Sequence, residues 1–333
     1  MSLTASPARG PRLVLLALLL VPCAGCLDFE KETVVVAFPK DQDEVRFLLV
    51  YGGFRVGGTS PEELTKAKEE LTQLTTTDKF FYLSIFVPLH LTEQKDEKAD
   101  QKRFRELLDR HLKVGKCALF TNKDGKLCGY QTITIKNAKK FTADLNAFLC
   151  EQLAKWAQDL LDNEKKRGKE WDKETLDLVF EAARNKHQWV RIEPGRVSFT
   201  MPGSRAVFTK ARRDILGLQQ LEDLNKLLAP GKKEPKLDDI RPKLKDMEAS
   251  QKWFSGLPLS IDQRKDRVTL SLGFGDGEPF TVTDPPLREP KKELDQFDKD
   301  LAAHAKTLKA EFRKDVTTDS LIAEFLKDVK KAK

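Results

Sequence analysis

Apolar and polar residues alternate along the first part of the chain as in a strand, and then recur at the spacing of a helix. The predicted order is strand, strand, helix and strand: Thr33 to Phe38, Val45 to Tyr51, a helix from Pro61, and Phe80 to Val87. The start of the helix is well defined, because Ser60 can cap it, Pro61 suits its first position and Glu63 completes a capping box. Its apolar face consists of Leu64, Ala67, Leu71 and Leu74.

A second pattern begins near residue 98, where a helix, a hairpin or three-strand meander and another helix follow one another three times. The predicted helices are Phe104 to Leu112, Lys139 to Asn163, Leu176 to Lys186, Arg212 to Leu228, Leu244 to Trp253, Lys291 to Leu308 and Ser320 to Val329. Short hairpin connections make neighbouring strands antiparallel. The sequence therefore predicts an α+β fold with mainly antiparallel sheets, built from helix–hairpin/meander–helix units.

The second and third of these units also share a likeness in sequence. Trp189 to Ile192, Arg196 to Phe199 and Ala206 to Thr209 align with Leu257 to Ile261, Arg267 to Leu270 and Phe280 to Thr283. Alternation with a period of two makes any two meanders alike, so an internal duplication and a chance likeness both stay open.

The N-terminus has the layout of an export signal. Arg9 and Arg12 precede an apolar run from Leu13 to Val21. A membrane-spanning helix needs roughly 18 to 20 apolar residues, so this run is too short for a permanent span. It fits a signal peptide that is cleaved from the chain.

The residues that follow, Val21-Pro22-Cys23-Ala24-Gly25-Cys26, end in small side chains directly before a cysteine. This segment resembles the lipobox of bacterial lipoproteins. The resemblance implies that Ala24 and Gly25 fit the cleavage site, and that the thiol of Cys26 takes a diacylglycerol before Cys26 becomes the new N-terminus. Cys23 departs from the family, which usually has Leu, Val or Ile at that place. The alternative is an ordinary secretory signal that is cut nearby and leaves Cys26 unmodified.

Both alternatives place the chain outside the cytoplasm, and the lipobox places it on a membrane of the bacterial cell envelope. Each buried methylene adds about 0.8 kcal/mol of membrane affinity, so two or three acyl chains give a firm anchor. The membrane, reached through this N-terminal lipid, is therefore the first expected partner.

The expected domain organisation follows from proline, glycine and chain length. Linkers are predicted at Pro230 to Pro235 and at Asp284 to Pro286, because proline fits neither a helix interior nor a central strand. A softer break lies near Gly168. We expect a signal peptide at 1–25, an N-terminal α+β domain at 26–168 and a C-terminal α+β domain at 169–333.

Composition and charge describe a folded, well-solvated protein. The chain is 40% hydrophobic and 33% charged, and its formal net charge of +7 includes Arg9 and Arg12. Basic and acidic residues are interleaved along the predicted helices, as between Asp96 and Arg110, which is typical of a solvated helix face. No basic stripe carries aromatic residues, so nucleic acid is not an expected partner. The basic end from Lys327 to Lys333 could add a weak contact with anionic lipid.

Three cysteines follow Cys26, namely Cys117, Cys128 and Cys150, so at least one stays unpaired within a monomer. Asp124 and Gly125, which lie between apolar runs, predict a hairpin. If they are its two turn residues, Cys117 faces Thr132 and lies roughly 13 Å from Cys128, which is too far for a disulfide. Any other pairing among the three cysteines stays open.

The nearest approach to a catalytic motif is the stretch from Gly52 to Ser60, which leads from a predicted strand into the capped helix. A strand, a glycine-rich turn and a helix N-terminus are the parts of a phosphate-binding loop, and Gly53 to Gly58 has its spacing. Thr59 stands where that loop needs a lysine. We therefore expect the glycines to serve a tight bend, with a phosphate-binding loop as the alternative. A second cluster, Gly273 to Gly277, is expected to form a bend between two strands.

Other chemistry finds little support in the residue pattern. The four histidines are scattered and no Cys-x-x-Cys occurs, so zinc is not expected. His111 and His304 fall on apolar helix faces, which favours packing over metal binding. The Gly-x-Ser-x-Gly and Ser-x-x-Lys motifs of serine hydrolases do not occur. No catalytic, cofactor-binding or metal-binding residue is predicted, and Cys26 is the one predicted lipidation site.

The expected function is that of a lipid-anchored envelope protein, without enzymatic activity, that binds an envelope protein partner or serves a structural role. The lack of local catalytic motifs leads to this expectation. Two alternatives stay open: an extracytoplasmic hydrolase with a site assembled from distant residues, and a carrier of a small ligand. An apolar pocket with a few convergent polar groups would favour the alternatives, whereas a flat exposed apolar patch would favour the binding protein.

Overall fold

The computed structural model describes residues 26–40, 42–58, 60–82, 88–95, 97–167, 173–203, 258–264, 267–284 and 295–331. In chain order their elements are β1 Leu27–Ala37, β2 Glu44–Val56, α1 Pro61–Thr76, β3 Phe80–Tyr82, β4 Pro88–His90, α2 Ala99–His111, β5 Leu112–Val114, β6 Ala118–Thr121, β7 Leu127–Lys136, α3 Ala138–Arg167, α4 Lys173–Arg184, β8 Val190–Glu193, β9 Arg196–Pro202, β10 Leu259–Gln263, β11 Arg267–Leu272, β12 Phe280–Asp284, α5 Asp295–Ala305, β13 Phe312–Arg313 and α6 Thr318–Lys331.

The largest sheet has seven strands in the order β12-β1-β2-β7-β6-β13, with β5 also paired to β7. All its pairs are antiparallel except the short pair of β13 with β6. A second sheet has four strands in the order β10-β11-β9-β8, and β3 and β4 form a two-stranded ladder. The predicted α+β class with mainly antiparallel sheets is confirmed.

The seven-stranded sheet is covered on both faces. One face joins the main core, in which Ala67, Leu71 and Leu74 of α1 are fully buried against the strands. On the other face, Leu321 of α6 packs on a smaller cluster that includes Val35 and Leu48. Both faces of the sheet therefore carry buried apolar residues, which explains the long apolar runs in β1 and β2.

The capping box predicted for α1 is present. Ser60 Oγ accepts a hydrogen bond from the Glu63 backbone nitrogen at 3.2 Å, and Glu63 Oε2 accepts one from the Ser60 nitrogen at 2.9 Å. Pro61 occupies the first helical position. These contacts satisfy backbone donors that the first helical turn leaves without partners.

Strand β2 is longer than its sequence pattern predicts, because it runs through Gly52 and Gly53 to Val56. Tyr51 and Phe54 lie on the same face, with ring centroids 5.8 Å apart, although residues three apart point to opposite faces in a regular strand. Gly53 has a φ of 69°, which permits this local change of face. The expected glycine bend is therefore split into a kink inside β2 and a separate turn that starts at Gly57.

The two hairpins of the four-stranded sheet are related by an offset of 71 residues, the offset that aligns Arg196 with Arg267. Ser198 pairs with Ser271, and adding the offset to the first residue and subtracting it from the second gives the observed pair of Thr269 with Thr200. The outer strands follow the same rule, since Val190 pairs with Phe199 and Ile261 pairs with Leu270. The sheet thus has an approximate twofold axis, as any two hairpins joined by an antiparallel pair of inner strands do, so the duplication and the chance likeness both stay open.

After residue 280 the chain returns to the seven-stranded sheet. Strand β12 pairs with β1, and α5 and α6 pack against the same sheet. The described parts of the domains expected at 26–168 and 169–333 therefore share one sheet. The predicted break at Gly168, the linker at Pro230 to Pro235 and the predicted elements between 206 and 253 lie outside the described residues.

Candidate functional site

The predicted lipidation residue, Cys26, lies immediately before β1, and its backbone is fixed to the rest of the fold. Its nitrogen donates a hydrogen bond to Glu70 Oε1 at 3.2 Å, and the Leu27 nitrogen donates to Glu70 Oε2 at 2.6 Å. The Cys26 carbonyl oxygen accepts from the Gly57 nitrogen at 2.7 Å. A carboxylate of α1 thus holds two successive backbone N–H groups at the start of β1.

Glu70 is itself oriented by Tyr82. The Tyr82 hydroxyl donates to Glu70 Oε2 at 2.9 Å. Burial raises the pKa of Tyr82 well above its usual value, and the charge of Glu70 raises it further. The phenol therefore stays protonated at neutral pH and serves as a donor, which fixes the carboxylate for its bonds to Cys26 and Leu27.

The Cys26 side chain is partly buried against the main core. Burial raises the pKa of its thiol, Glu70 adds to this effect, and Lys66 opposes it. A raised thiol pKa means less thiolate, which is the nucleophilic form. The folded chain therefore presents Cys26 as a weak nucleophile.

Around the described glycines and Ser60, the structure shows no vacant anion site at the start of α1. The Glu63 carboxylate already occupies this position, and a Cβ atom added to Gly58 would lie 1.9 Å from its carboxyl carbon. The Gly57 nitrogen is engaged by the Cys26 carbonyl oxygen. Thr59, where a phosphate-binding loop would need lysine, lies outside the described residues. A bound phosphate would have to displace a carboxylate of like charge, so the geometry favours the structural role of the glycines.

The four histidines have separate surroundings. His111 is buried and lies 2.9 Å from Asp144 Oδ2, while His304 lies 3.0 Å from Thr72 Oγ1. His187 contacts the Thr200 carbonyl oxygen at 2.9 Å, and burial against Phe80 lowers the pKa of His90. Among the described residues, no group of three or more His, Cys, Asp and Glu side chains is arranged to hold a metal ion.

The four cysteines that the structure describes are free thiols. Their predicted register needs one correction, because Phe120, and not residue 121, pairs with Cys128. The hairpin has a three-residue loop closed by Asn122 and Lys126, with Gly125 at a φ of 76°, in place of the predicted two-residue turn. Cys117 and Cys128 are not bonded to each other in this structure.

A groove of about 1050 Å³ lies at the end of the seven-stranded sheet opposite Cys26. It is formed by the β1–β2 turn, the start of α3, the β8–β9 turn, the loop before β12 and the end of α6. Its apolar lining includes Phe38, Ile192, Leu326 and Val329, and charged residues such as Lys40, Lys139, Glu193, Glu278 and Lys330 also line it. The groove combines apolar surface with charges of both signs.

Beside this groove, Phe274 is 70% exposed on the predicted glycine bend. Gly273, Gly275 and Gly277 all have positive φ values, and Arg196 donates a hydrogen bond to the Phe274 carbonyl oxygen at 3.3 Å. The Gly275 nitrogen also donates to the Gly195 carbonyl oxygen at 3.1 Å. Aromatic residues are enriched at protein interfaces, so this exposed ring is a candidate contact for a protein partner.

Reasoning from the sequence did not find Glu70, Tyr82 or the groove. Glu70 is one acidic residue among many on the polar side of α1, and nothing in its spacing connects it with Cys26. The groove arises from five segments that are distant in sequence.

Comparison with known proteins gives no family to which the chain can be assigned. No protein-family model matches the chain, and no curated protein or solved structure is significantly similar to it. None of the described helices is both long enough and apolar enough to cross a bilayer.

Proposed function

We propose that the chain is a lipid-anchored protein of the bacterial cell envelope whose folded part binds a protein partner. The observation that carries the anchoring half of this proposal is the position of Cys26. It follows the lipobox-like segment directly and stands immediately before the first residue of β1, with its side chain only partly buried.

The covalent step is a transfer of a diacylglyceryl group from a phospholipid. A bond forms between Cys26 Sγ and the glyceryl carbon, the bond between that carbon and the headgroup phosphate oxygen breaks, and the phosphate leaves with the thiol proton. Hydrolysis between Gly25 and Cys26 then frees the new N-terminus. Since folding raises the pKa of the Cys26 thiol, acylation is favoured before β1 docks on α1.

The binding half of the proposal depends on the opposite end of the fold. Strand β1 has eleven residues, which at about 3.3 Å each separate the groove from Cys26 by about 35 Å. An anchored molecule would present the groove and Phe274 away from the lipid. The groove is not the flat apolar patch expected of a binding protein, but its charges of both signs and the exposed ring of Phe274 beside it favour a polypeptide over a small apolar ligand.

The anchor is tested by substitution of Cys26 in cells supplied with a radioactive fatty acid. We expect Cys26→Ala to lose the label and to move from the membrane to a soluble extracytoplasmic fraction. Cys23→Ala is the matched control, because it alters the signal but keeps the acceptor thiol, and it should stay labelled. A labelled Cys26→Ala variant would show that the lipid, if any, is attached elsewhere.

The partner is tested by crosslinking the anchored protein in its native membrane and comparing wild type with Phe274→Ala. A protein captured by wild type and lost with Phe274→Ala supports the binding role. A small molecule that co-purifies in place of any protein would instead support a carrier.

A further inference from the structure

The anchored end of the molecule leaves no room for a flexible tether. Cys26 is held through its nitrogen and its carbonyl oxygen, and Leu27 is 1% exposed at the first position of β1. Phe29, two residues further, is fully buried. The lipid-bearing residue is therefore part of the fold, and the chain offers no spacer between the acyl chains and the sheet.

From this geometry we propose that Glu70 receives the backbone nitrogen of processed Cys26 and thereby docks the end of the fold formed by Cys26, Gly57 and the first half of α1 directly on the lipid headgroups. This inference rests on the proposed lipid anchor. It goes further, because a lipoprotein with a flexible tether would have no fixed face towards the membrane.

The Glu70 carboxylate and the two backbone nitrogens that it accepts from, those of Cys26 and Leu27, form a clamp. The chemistry of this clamp suits both forms of a processed N-terminus. If the Cys26 nitrogen is acylated, its remaining N–H donates to Glu70, as the peptide N–H of Cys26 does in the unprocessed chain. If it stays a free amine, its ammonium forms an ion pair with the same carboxylate. The Tyr82 hydroxyl and the Leu27 nitrogen both donate to Glu70 Oε2, and these two bonds fix the carboxylate whatever the state of Cys26.

The docked face is tested by fluorescence quenching in vesicles. Lipidated full-length protein is reconstituted in vesicles of phosphatidylethanolamine and phosphatidylglycerol that contain a headgroup-labelled quencher lipid. A fluorophore is placed at Lys66→Cys, near the clamp, or at Lys40→Cys, beside the groove; both lysines are exposed, and the three buried native thiols are shielded from labelling. We expect strong quenching at position 66 and little at position 40.

Two variants separate the clamp from the lipid. A six-residue Gly-Ser spacer between Cys26 and Leu27, with a length of about 13 Å, should lower quenching at position 66 clearly below the wild-type value. Glu70→Ala should lower it by less, because the bond from the Gly57 nitrogen to the Cys26 carbonyl oxygen remains, whereas Glu69→Ala, an exposed neighbour on the same helix, should not lower it. The spacer variant keeps Glu70, so it remains informative if Glu70→Ala fails to fold.

The outcomes distinguish this inference from the proposed anchor. Loss of fatty-acid labelling at Cys26 in the wild type would remove the anchor itself. A labelled wild type with equal quenching at positions 66 and 40, or a spacer variant quenched like the wild type, would overturn the docked face and leave the anchor in place.

Discussion

Cys117 and Cys128 lie on opposite faces of the seven-stranded sheet. A Cβ atom on Gly129 would lie 2.7 Å from Cys117 Sγ, in the main core, whereas Cys128 belongs to the cluster under α6 and accepts a hydrogen bond from the Gly53 nitrogen at 3.3 Å. Residues 128 and 129 are successive in β7, so their side chains point to different faces. The sheet itself separates the two thiols.

We expect Cys117, Cys128 and Cys150 to resist alkylation in the folded protein at pH 8 and to react fully in denaturant. Burial raises the pKa of the Cys117 and Cys128 thiols, so the folded chain holds little thiolate. The unfolded chain ionises near the ordinary thiol pKa, so stability should fall as the pH rises above about 9. Mass spectrometry after alkylation counts the labelled thiols, and rapid labelling of Cys117 in the native state would contradict its burial.

The structure of the turn before α1 allows the effect of Gly58→Ala on stability to be predicted. A Cβ atom there collides with the Glu63 carboxylate and breaks the capping box, so we expect a loss of about 1 kcal/mol of stability. Thermal unfolding with and without inorganic phosphate, sulfate and nucleotides should show no ligand effect in the wild type. If phosphate or a nucleotide raised the wild-type midpoint but not that of a stably folded Gly58→Ala, the turn would be an anion site.

The side chain of Asn146 in α3 forms hydrogen bonds with the backbone at the outer edge of β8. Asn146 Nδ2 donates to the Val190 carbonyl oxygen, and Asn146 Oδ1 accepts from the Val190 nitrogen, both at 2.8 Å. Asn146→Ala leaves a donor and an acceptor of Val190 without these partners, so we expect a loss of about 2–3 kcal/mol in denaturant unfolding. Gln158→Ala, at an exposed position of the same helix, should change stability by no more than about 0.5 kcal/mol. Equal effects would show that Asn146 does not hold this edge.

Phe274 and Phe280 differ in burial, so substitution by alanine should change the free energy of unfolding little at Phe274 and strongly at Phe280. Phe280 is 5% exposed in the main core, so Phe280→Ala should cost about 3–5 kcal/mol. Phe274 is 70% exposed, and Phe274→Ala should leave the free energy of unfolding within about 0.5 kcal/mol of the wild type. A large loss for Phe274→Ala would mean that its ring is packed in solution and is not a free surface.

The sequence predicted those parts of the fold that depend on neighbouring residues. The capping box at Ser60, the long helix α3 and the antiparallel hairpins all follow from local spacing, and each is present. The hairpin register was wrong by one residue, because Asn122 closes a three-residue loop through contacts that its identity alone does not specify.

The features that join distant segments could not be predicted in this way. Glu70 meets Cys26 only after α1 folds back along the start of β1, and the groove needs both ends of the chain in place. The glycine bend was predicted after Tyr51, but the continuation of β2 through Gly52 and Gly53 to Val56 was not. At these points the tertiary contacts decide what the local pattern leaves undetermined.

In the four-stranded sheet, β11 occupies the edge of β9 to which, by the offset of 71 residues, a second copy of β9 could pair. If β11 were removed, β9 could pair with β9 of another molecule in the same register, with Phe199 opposite Phe199. A chain that ends after the first hairpin would therefore expose a self-recognising edge, of the kind through which proteins exchange segments or assemble into fibres. The second hairpin thus covers within one chain an edge that a strand of another molecule could otherwise take.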